Sequence, residues 1–225
     1  MKIYHVDRKI RNESNFPFWF SMLKEANELI DFSLVNSVID FGCGNGGFSQ
    51  LVHQAFANLS VFGVEIDDGL VASCQQDNRH SRITYHHYSE FSNLPKVDLV
   101  FSQEVVYTQK SLSHHAREIF NVLHDGGHYM FTMGCHIENP TWANRRNDIR
   151  ETEKYYAFDY SIEDVATAFF DAGFRVTVKK LPLHVPMKYV PRKEREFNNL
   201  SEMLCSTEEH KYLFSMLRPR YIADE

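Results

Sequence analysis

The sequence is short of cysteine, of long apolar runs and of basic charge. Its four cysteines are widely spaced and form no CxxC pair, so we predict neither a disulfide framework nor a structural metal site. No stretch approaches the roughly 18 apolar residues that a membrane helix needs, and segment 1–15 is too polar for a signal peptide. We therefore expect a cytoplasmic protein with no membrane partner.

The net charge of -6 argues against a protein whose main task is to bind bulk nucleic acid, because phosphate binding depends on clustered lysine and arginine. A local basic patch is compatible with this charge. The 225 residues, of which 43% are hydrophobic and 24% charged, are typical of one globular domain with a full core. We predict a single domain over residues 1–225, without repeats or low-complexity tracts.

The most informative segment is a glycine turn between an apolar strand and an amphipathic helix. It spans Val38–Phe48 and reads VIDFGCGNGGF. Gly42, Gly44 and Gly46 allow the backbone to approach a ligand closely, because glycine adopts positive φ and has no Cβ. Asp40 stands two positions before the turn, where a carboxylate favours a cationic amine. The segment predicts a pocket for a small ligand that carries both an amine and a nucleoside.

A second acidic residue lies at the end of the next predicted strand. Glu65 comes twenty-one positions after Gly44, and a carboxylate there accepts hydrogen bonds from both hydroxyls of a ribose. The spacing also fits a dinucleotide-binding dehydrogenase, since Gly42, Gly44 and Gly47 satisfy the pattern GxGxxG. Asp40 argues against this alternative, because a carboxylate so near a pyrophosphate would repel it.

Strands and helices alternate along the rest of the chain. Five further apolar runs predict strands: Ile83–Tyr85, Val97–Ser102, Tyr129–Met133, Phe174–Leu181 and Tyr212–Leu217. Of the helices between them, one is predicted to end at Gly126–Gly127 and another to begin with a capping box of Ser161 and Asp164. This order predicts an α/β fold, a doubly wound seven-stranded mostly parallel sheet whose last strand is antiparallel.

Three segments are predicted to cover the sheet. An N-terminal cap helix is expected at about 15–31. A lid insertion at about 134–160 has no clean period and carries tryptophan, arginines and tyrosines, and a second at about 184–210 has a charged stretch before a helix. Aromatic and basic lids of this kind suit a closed pocket for a modest-sized metabolite, including an anionic one.

In combination, these motifs resemble those of the class I S-adenosylmethionine-dependent methyltransferases. DFGCGNG is similar to the first motif of the family and GVEID to its second, while KVDLVFSQEV and LHDGGHYMF resemble the signatures of the fourth and fifth strands. YSIEDVATAFFDAGF is similar to the segment before the sixth strand in many small-molecule members. The resemblance covers about Val38–Arg218 and implies a Rossmann-like fold with S-adenosyl-L-methionine as cofactor.

The resemblance also implies roles for individual residues. Asp40 would reach the ammonium of the cofactor, the glycines of the first motif would lie under its ribose and methionine chain, and Glu65 would bind the ribose hydroxyls. Glu90 would face the adenine amine, where the family more often has aspartate, and Gln103 would lie near the sulfonium. The expected cofactor site also includes Gly42, Cys43, Gly44, Asn45, Ile66 and Phe91.

Three residues after the fourth and fifth strands are candidates for a base that removes a proton from the acceptor. Glu104 and Tyr107 follow the fourth strand and His136 follows the fifth, and a structural role stays open for each. The Asn-Pro-Pro-Tyr type of motif that DNA aminomethylases have after the fourth strand is absent, because Ser102–Val105 reads SQEV. We therefore expect no DNA substrate, and the sequence shows no acidic triad that would require a metal.

The predicted function is methyl transfer to a small-molecule acceptor, in which the acceptor displaces a neutral thioether from the methyl carbon. Two alternatives stay open. One is a non-catalytic sensor or partner subunit that binds the cofactor without methylating anything. The other is a methyltransferase for tRNA or protein that uses a basic stretch formed by Lys188, Arg192, Lys193 and Arg195. The sequence leaves the oligomeric state and the acceptor atom open.

Overall fold

Seven strands form one sheet in the computed structural model, which describes residues 6–152, 155–191 and 197–220. The strands are β1 (Ser37–Phe41), β2 (Ser60–Glu65), β3 (Ile83–His87), β4 (Val97–Gln103), β5 (Leu123–Met133), β6 (Arg175–Lys180) and β7 (Tyr212–Leu217). Their order in the sheet is β3-β2-β1-β4-β5-β7-β6.

The sheet is parallel except for its last strand. β1 to β5 pair in parallel, whereas β7 runs antiparallel to both β5 and β6. In the register, Asp40 of β1 lies between Gly63 of β2 and Phe101 of β4. The carboxyl ends of these central strands share one edge, which is where open α/β sheets bind ligands. The predicted doubly wound sheet with an antiparallel last strand is confirmed.

Helices cover both faces of the sheet. They are α1 (Arg8–Arg11), α2 (Phe16–Leu29), α3 (Gly47–Ala55), α4 (Asp68–Asp77), α5 (Leu112–Val122), α6 (Trp142–Thr152), α7 (Ile162–Asp171) and α8 (Leu200–Leu204), with 3-10 turns at Tyr88–Asn93 and Val106–Thr108 and a π-helical turn at Cys205–Glu209. Within the described ranges, no helix has the length and apolar character needed to cross a membrane.

Two hydrophobic cores lie on the two faces of the sheet. On one face, Phe131 packs with Ile119 of α5 and Phe169 of α7, all of them buried. On the other face, residues such as Leu23 of α2 and Leu51 of α3 form the second core. Because each strand alternates its side chains between these faces, the functional side chains are left to the loops at the carboxyl edge.

Two local predictions differ from the structure. Gly126–Gly127 do not end α5, which stops at Val122; they lie inside β5, where the register with β4 shifts. A Cβ at Gly127 would lie only 2.8 Å from the carbonyl oxygen of His124, so the glycines permit an irregularity in the strand instead of a helix cap. The capping box is confirmed, because Ser161 Oγ accepts a hydrogen bond from the Asp164 N–H at 2.9 Å.

The segment predicted to lack a clean period contains a helix. α6 occupies the middle of the 134–160 interval, and Trp142 and Ile149 are its buried side chains among the described ones. Two apolar contacts seven positions apart give too narrow a stripe to be recognised by periodicity. Elsewhere, α2 lies within the interval expected for the N-terminal helix, and α8 with the π-helical turn lies within 184–210.

Candidate functional site

The glycine loop, residues 42–46, joins β1 to α3 at the carboxyl edge of the sheet. Gly42, Gly44 and Gly46 all have positive φ, at 76°, 52° and 76°. The N–H groups of Gly42 and Cys43 donate to the carbonyl oxygen of Val64, at 2.8 and 3.0 Å. These bonds fix the loop to the end of β2, so its shape does not depend on a ligand.

The three glycines serve different purposes. A Cβ at Gly42 would clash with Cγ2 of Val105, and one at Gly46 would lie 2.5 Å from the hydroxyl oxygen of Tyr85. A Cβ at Gly44 would meet nothing within 4 Å. Packing therefore requires glycine at the first and third positions, whereas the backbone at Gly44 faces open space that a ligand could occupy.

Glu65 connects the glycine loop to the turn after β2. Its Oε2 atom accepts a hydrogen bond from Gly44 N–H at 2.9 Å, and Oε1 accepts from Ile66 N–H at 2.7 Å and Asp67 N–H at 3.2 Å. A carboxylate offers about four acceptor positions, so Oε2 retains one for a ligand. Ile66 next to it is 65% exposed and presents an apolar surface beside the carboxylate.

Asp40 lies beneath the glycine loop, in the interior. It is 1% exposed, and Ser49 of α3 donates a hydrogen bond to its Oδ2 at 2.6 Å. Burial raises the pKa of Asp40 to about 7, the hydrogen bonds from Ser49 oppose the shift, and the charge of Glu65 adds to it. The carboxyl is therefore easily protonated near neutral pH unless a cation approaches.

The other residues expected at the cofactor differ in exposure. Cys43 and Phe91 are buried, and Phe91 packs edge-on against Phe41 with 5.1 Å between ring centroids. Asn45 accepts a hydrogen bond from Gly47 N–H at 3.3 Å, which stabilises the loop itself. The structure thus brings Asp40, the glycine loop and Glu65 together and leaves Cys43 and Phe91 as packing residues around them.

Glu90 and Gln103 lie at the ends of β3 and β4. Glu90 is exposed, and its carboxylate lies 3.3 Å from Nδ1 of His86. Gln103 is half-buried and held on both sides: its Nε2 contacts Sδ of Met22 at 2.8 Å, and its Oε1 accepts from Thr132 at 3.1 Å. Met22 belongs to α2, so the N-terminal helix takes part in positioning Gln103.

Glu104 has an unusual backbone and a fixed ion pair. It has a φ of 55°, the one positive value for a non-glycine residue among the described residues, which is a strained conformation of the kind often found at functional sites. Its Oε1 lies 2.9 Å from Nζ of Lys211 and accepts from Gly134 N–H at 2.9 Å. Burial alone would raise the pKa of Glu104, but Lys211 and Arg145 lower it. An ionised, ion-paired carboxylate of this kind is a weak base.

Tyr107 and His136 are buried in the fold. Tyr107 packs edge-on against Trp142, with 5.5 Å between ring centroids, and burial raises the pKa of its phenol well above the usual range. Both ring nitrogens of His136 are engaged, Nδ1 with Glu138 at 2.9 Å and Nε2 with the carbonyl oxygen of His210 at 2.7 Å. Neither belongs to the described residues that line the cavity beside Glu104.

That cavity, here the edge cavity, has a volume of about 730 Å³. Its walls come from the beginning of α2, from the segment 185–190 and from the α8 region, and Glu104, Gly134 and Lys211 lie at the sheet edge. Residues 16–18 of α2 are Phe, Pro and Phe, and Val185, Pro186 and Met187 belong to the other wall. The cavity wall therefore combines apolar side chains with polar and charged ones, and Glu104 and Lys211 are its charged residues at the sheet edge.

Sequence reasoning missed Lys211, although the topology contains a signal for it. Because β7 is antiparallel, its first residue, Tyr212, pairs with Met133 at the end of β5. The residue before β7 must therefore lie at the same carboxyl edge as Glu104. Lys211 is 6% exposed there, and its Nζ lies 4.0 Å from the ring centroid of Phe18.

One group of possible metal ligands is present in the part of the chain that the structure describes. The ligand atoms of Cys205, Glu209 and His210 lie within 4.8 Å of one another at the π-helical turn. Burial, followed by the charge of Glu209, raises the pKa of the Cys205 thiol. The group offers three ligand atoms, one fewer than a closed tetrahedral zinc site needs, and we assign no metal to it.

A comparison with protein families identifies the fold. A family profile described as a methyltransferase domain matches residues 35–210. The chain belongs to this methyltransferase family. The match begins before β1 and reaches the π-helical turn, so it includes the glycine loop, Glu65 and Glu104. No curated protein sequence matches the chain.

Solved structures of methyltransferases share this architecture. A methyltransferase in complex with the Haloferax volcanii Trm112 activator has a TM-score of 0.72 and 17% identity, covering 94% of this chain and 96% of that one. An S-adenosylmethionine-dependent methyltransferase from Mesorhizobium loti has a TM-score of 0.64 and 16% identity, with coverages of 93% and 100%. Geranyl diphosphate C-methyltransferase from Streptomyces coelicolor has a TM-score of 0.65 and 16% identity, and the match covers 95% of this chain and 85% of that one. At such identities these neighbours show the fold.

The residues at the carboxyl edge fit S-adenosylmethionine, which is bound in a solved structure of geranyl diphosphate methyltransferase with the same fold. The open space at Gly44 admits a ligand against the backbone. Glu65 retains an acceptor position for a hydroxyl group, and the exposed side chain of Ile66 offers a surface for a flat base. Asp40 provides a carboxyl group that favours a cation.

Proposed function

We propose that this methyltransferase transfers the methyl group of S-adenosylmethionine to a small-molecule acceptor bound in the edge cavity. The observation that carries the proposal is the cavity itself. Its volume of about 730 Å³ lies within the range of roughly 300–1,000 Å³ that is usual for small-molecule sites. The cavity lies beside Glu104, the residue that follows β4, at the same sheet edge as the glycine loop.

The cofactor would be held by the residues around the glycine loop. We propose that Gly42 and Gly44 lie under the methionine chain and ribose, that Glu65 accepts from a ribose hydroxyl and that Ile66 packs against the adenine. Asp40 would act on the ammonium from beneath the loop. Glu90 and Gln103 would complete the site at the adenine and sulfonium ends, and Cys43, Asn45 and Phe91 would support the loop by packing.

The chemistry requires alignment more than acid or base catalysis. When bound, S-adenosylmethionine supplies a methyl group on a positively charged sulfur; the S–CH3 bond breaks with its electron pair left on sulfur, and a bond from the acceptor atom to the methyl carbon forms. Gln103, fixed by Met22 and Thr132, would orient the reacting groups. Holding them about 3–3.5 Å apart accounts for much of the rate of such reactions. Any proton on the acceptor atom would leave to water at the cavity mouth.

Glu104, Tyr107 and His136 have different roles in this proposal. Glu104 lines the cavity and would position the acceptor through its ion pair with Lys211. Tyr107, whose phenol keeps its proton, and His136, whose ring nitrogens are both engaged, would support the lids. A small-molecule acceptor is also compatible with a neighbour of the same fold that acts on geranyl diphosphate.

A macromolecular acceptor is the second candidate. It is favoured by the neighbour solved in complex with the Trm112 activator. Of the basic stretch expected to contact tRNA or protein, Lys188 lines the edge cavity, whereas Arg192, Lys193 and Arg195 lie outside the described residues. An activator subunit would be a further partner under this alternative.

We also propose that residues 1–225 work as a single methyltransferase domain, with lids at 134–160 and 184–210, in a reducing compartment such as the cytoplasm. The four cysteines are free thiols, which supports such a location. Limited proteolysis should leave one resistant fragment that spans the sheet. Two separately stable fragments would contradict the single domain.

The central experiment is incubation of the protein with methyl-labelled S-adenosylmethionine and a cell extract separated into small molecules, RNA and protein. We expect an enzyme-dependent label in the small-molecule fraction. Label in RNA or protein would instead support the second candidate. If calorimetry showed cofactor binding but no fraction were labelled, the non-catalytic sensor would be favoured. Absence of cofactor binding would contradict the sensor and both methyltransferase functions.

A further inference from the structure

The charges that line the edge cavity are unequal. Among the described lining residues, four are basic and two are acidic: Arg11, Arg145, Lys188, Lys211, Glu13 and Glu104. The chain as a whole has the opposite balance, with a net charge of -6. The excess of positive charge is therefore a local property of this cavity.

Lys211 is the most confined of these cations. Its side chain is 7% exposed, and among the described residues its acid partner is Glu104, at 2.9 Å. The ammonium has three N–H donors, of which Glu104 accepts one and the ring of Phe18 stabilises the charge from another side. Since Lys211 lines the cavity, its remaining hydrogen-bonding capacity is available to a ligand there.

Glu104 interacts with more than one cation of the cavity. Both Lys211 and Arg145 stabilise its ionised form, so two cations act on one carboxylate. The carboxylate is also held by the N–H of Gly134 at 2.9 and 3.1 Å. This internal acid fixes the position of Lys211 at the sheet edge.

Part of the cavity wall is apolar. Phe16, Pro17 and Phe18 form one wall, and the segment 185–190, which includes Met187, forms part of the other. Such walls favour a hydrocarbon or aromatic body, which gains free energy when it leaves water. Charged groups and apolar surface thus line the same cavity.

We propose that the methyl acceptor is an amphiphilic anion, whose carboxylate or phosphate group binds at Lys211 and Arg145 and whose apolar body packs against Phe18 and Met187. This inference rests on the proposed small-molecule function and adds the chemical class of the acceptor. A neutral acceptor would remove water from buried cations without replacing it. A cationic acceptor would be repelled by the excess positive charge.

The test separates labelled products by charge. The protein is incubated with methyl-labelled S-adenosylmethionine and the small-molecule fraction of an extract, and the products are passed over an anion exchanger, with an incubation without enzyme subtracted. We expect most of the enzyme-dependent label to be retained. Label that flows through, as neutral or cationic product, would overturn the inference while the proposed function stands. Absence of label in any small molecule would overturn the proposed function itself.

Variants connect the retained label to Lys211. Lys211→Gln should lower the amount of retained label at least tenfold, and Lys211→Arg should lower it much less. Lys96→Gln, at an exposed lysine before β4, is the control and should leave the retained label unchanged. Because the single change removes the 2.9 Å ion pair of Glu104, the double variant Glu104→Gln/Lys211→Gln is the comparison that leaves no carboxylate without Lys211. Wild-type labelling of anionic products by the double variant would contradict the role of this ion pair in binding.

Discussion

The glycine loop and the edge cavity lie at the same sheet edge but are held together differently. The loop is fixed by backbone N–H groups and by Glu65, which lies 21 positions from Gly44. The edge cavity is fixed by the ion pair of Lys211 and Glu104 and by the contact of Lys211 with Phe18. Its wall segments are joined by similar contacts, such as His184 with Glu25 of α2 at 2.8 Å.

The difference separates a preformed site from an adjustable one. The hydrogen bonds from the N–H groups of Gly42 and Cys43 to the carbonyl oxygen of Val64 join backbone groups that do not titrate, so the glycine loop keeps its shape when the pH changes. Ion pairs such as that of Lys211 with Glu104 respond to pH. This suits a fixed cofactor on one side and a selected acceptor on the other, and the following predictions test the contrast.

The largest effect on stability is expected from Glu104→Gln. This change leaves Lys211 buried without its acid partner, and breaking a buried pair in this way costs about 3–5 kcal/mol. Urea unfolding should show the loss, and Glu104→Gln/Lys211→Gln should recover a large part of it. A double variant no more stable than the single one would mean that the pair does not hold the cavity.

The same ion pair predicts a response to acid. The pKa of Glu104 is lowered from its usual value of 4.5, so its contribution to the free energy of unfolding is complete above about pH 4.5 and is lost as the pH falls through the lowered value. Glu104→Gln should remove this acid-sensitive part. Unfolding curves between pH 3 and pH 6 that are parallel for the variant and the wild type would argue against the assignment.

The second prediction compares two glycines of the same loop. Gly42→Ala combines a left-handed backbone, at a cost of about 1–2 kcal/mol, with a clash against Val105, which costs about 1–3 kcal/mol more. Gly44→Ala has the backbone cost alone, because nothing lies near its Cβ. Thermal unfolding should show the larger loss for Gly42→Ala.

Cofactor binding gives the complementary measurement for this pair. Gly44→Ala should retain most of the stability and still lose S-adenosylmethionine affinity, because the new methyl group occupies the open space of the proposed site. Calorimetry with the demethylated cofactor measures the loss. Wild-type affinity in Gly44→Ala would mean that the cofactor binds elsewhere. It would contradict the view of the glycine loop as a preformed cofactor site.

The third prediction is a pH dependence of cofactor binding. The pKa of Asp40 is about 7 in the free protein, and an ammonium prefers the ionised carboxylate, so the association constant should fall about tenfold per unit as the pH drops below 7. It should fall again above about pH 8, where an α-amino group loses its proton. Asp40→Asn should abolish the acidic limb, which calorimetry at several pH values would show.

Stability should change with pH in the opposite direction at Asp40. Since the native protein holds this proton up to about pH 7 and the unfolded chain releases it near 3.8, the contribution of Asp40 to the free energy of unfolding declines as the pH rises between these values. Asp40→Asn should lack the decline and be more stable than the wild type at neutral pH. A destabilised Asp40→Asn would indicate that the charged form is satisfied within the protein.

The glycine loop and Glu65 can largely be predicted from the sequence, because short sequence motifs determine them. The order of strand, glycine turn and helix places Gly42, Gly44 and Gly46 in left-handed conformations, and the next strand end brings Glu65 to them. Each step depends on neighbours in sequence or on consecutive parallel strands. The alternation of strands and helices also predicts a mostly parallel sheet with an antiparallel last strand, whereas the order of the strands comes from the structure.

The edge cavity and its surroundings are much harder to predict from the sequence, and the physical reason differs from one element to the next. Lys211 meets Glu104 only because β7 inserts next to β5, and no local pattern encodes that pairing. α6 is a polar helix without a sufficient apolar stripe. The pair Gly126–Gly127 is equally typical of a helix end and of an irregular strand, and pairing with β4 decides between them.

The smallest effect is expected at Phe18, where a change in the edge cavity should alter stability without altering cofactor affinity. Phe18→Leu keeps an apolar side chain but removes the ring that faces Lys211 at 4.0 Å, so a loss of about 0.5–2 kcal/mol is expected. Phe170→Leu, at a ring that is 69% exposed on α7, is the matched control and should change little. Urea midpoints measure both, and calorimetry should show unchanged cofactor affinity in Phe18→Leu. If cofactor affinity fell with stability, the N-terminal helix would serve the glycine loop as well as the edge cavity, through the contact of Met22 with Gln103.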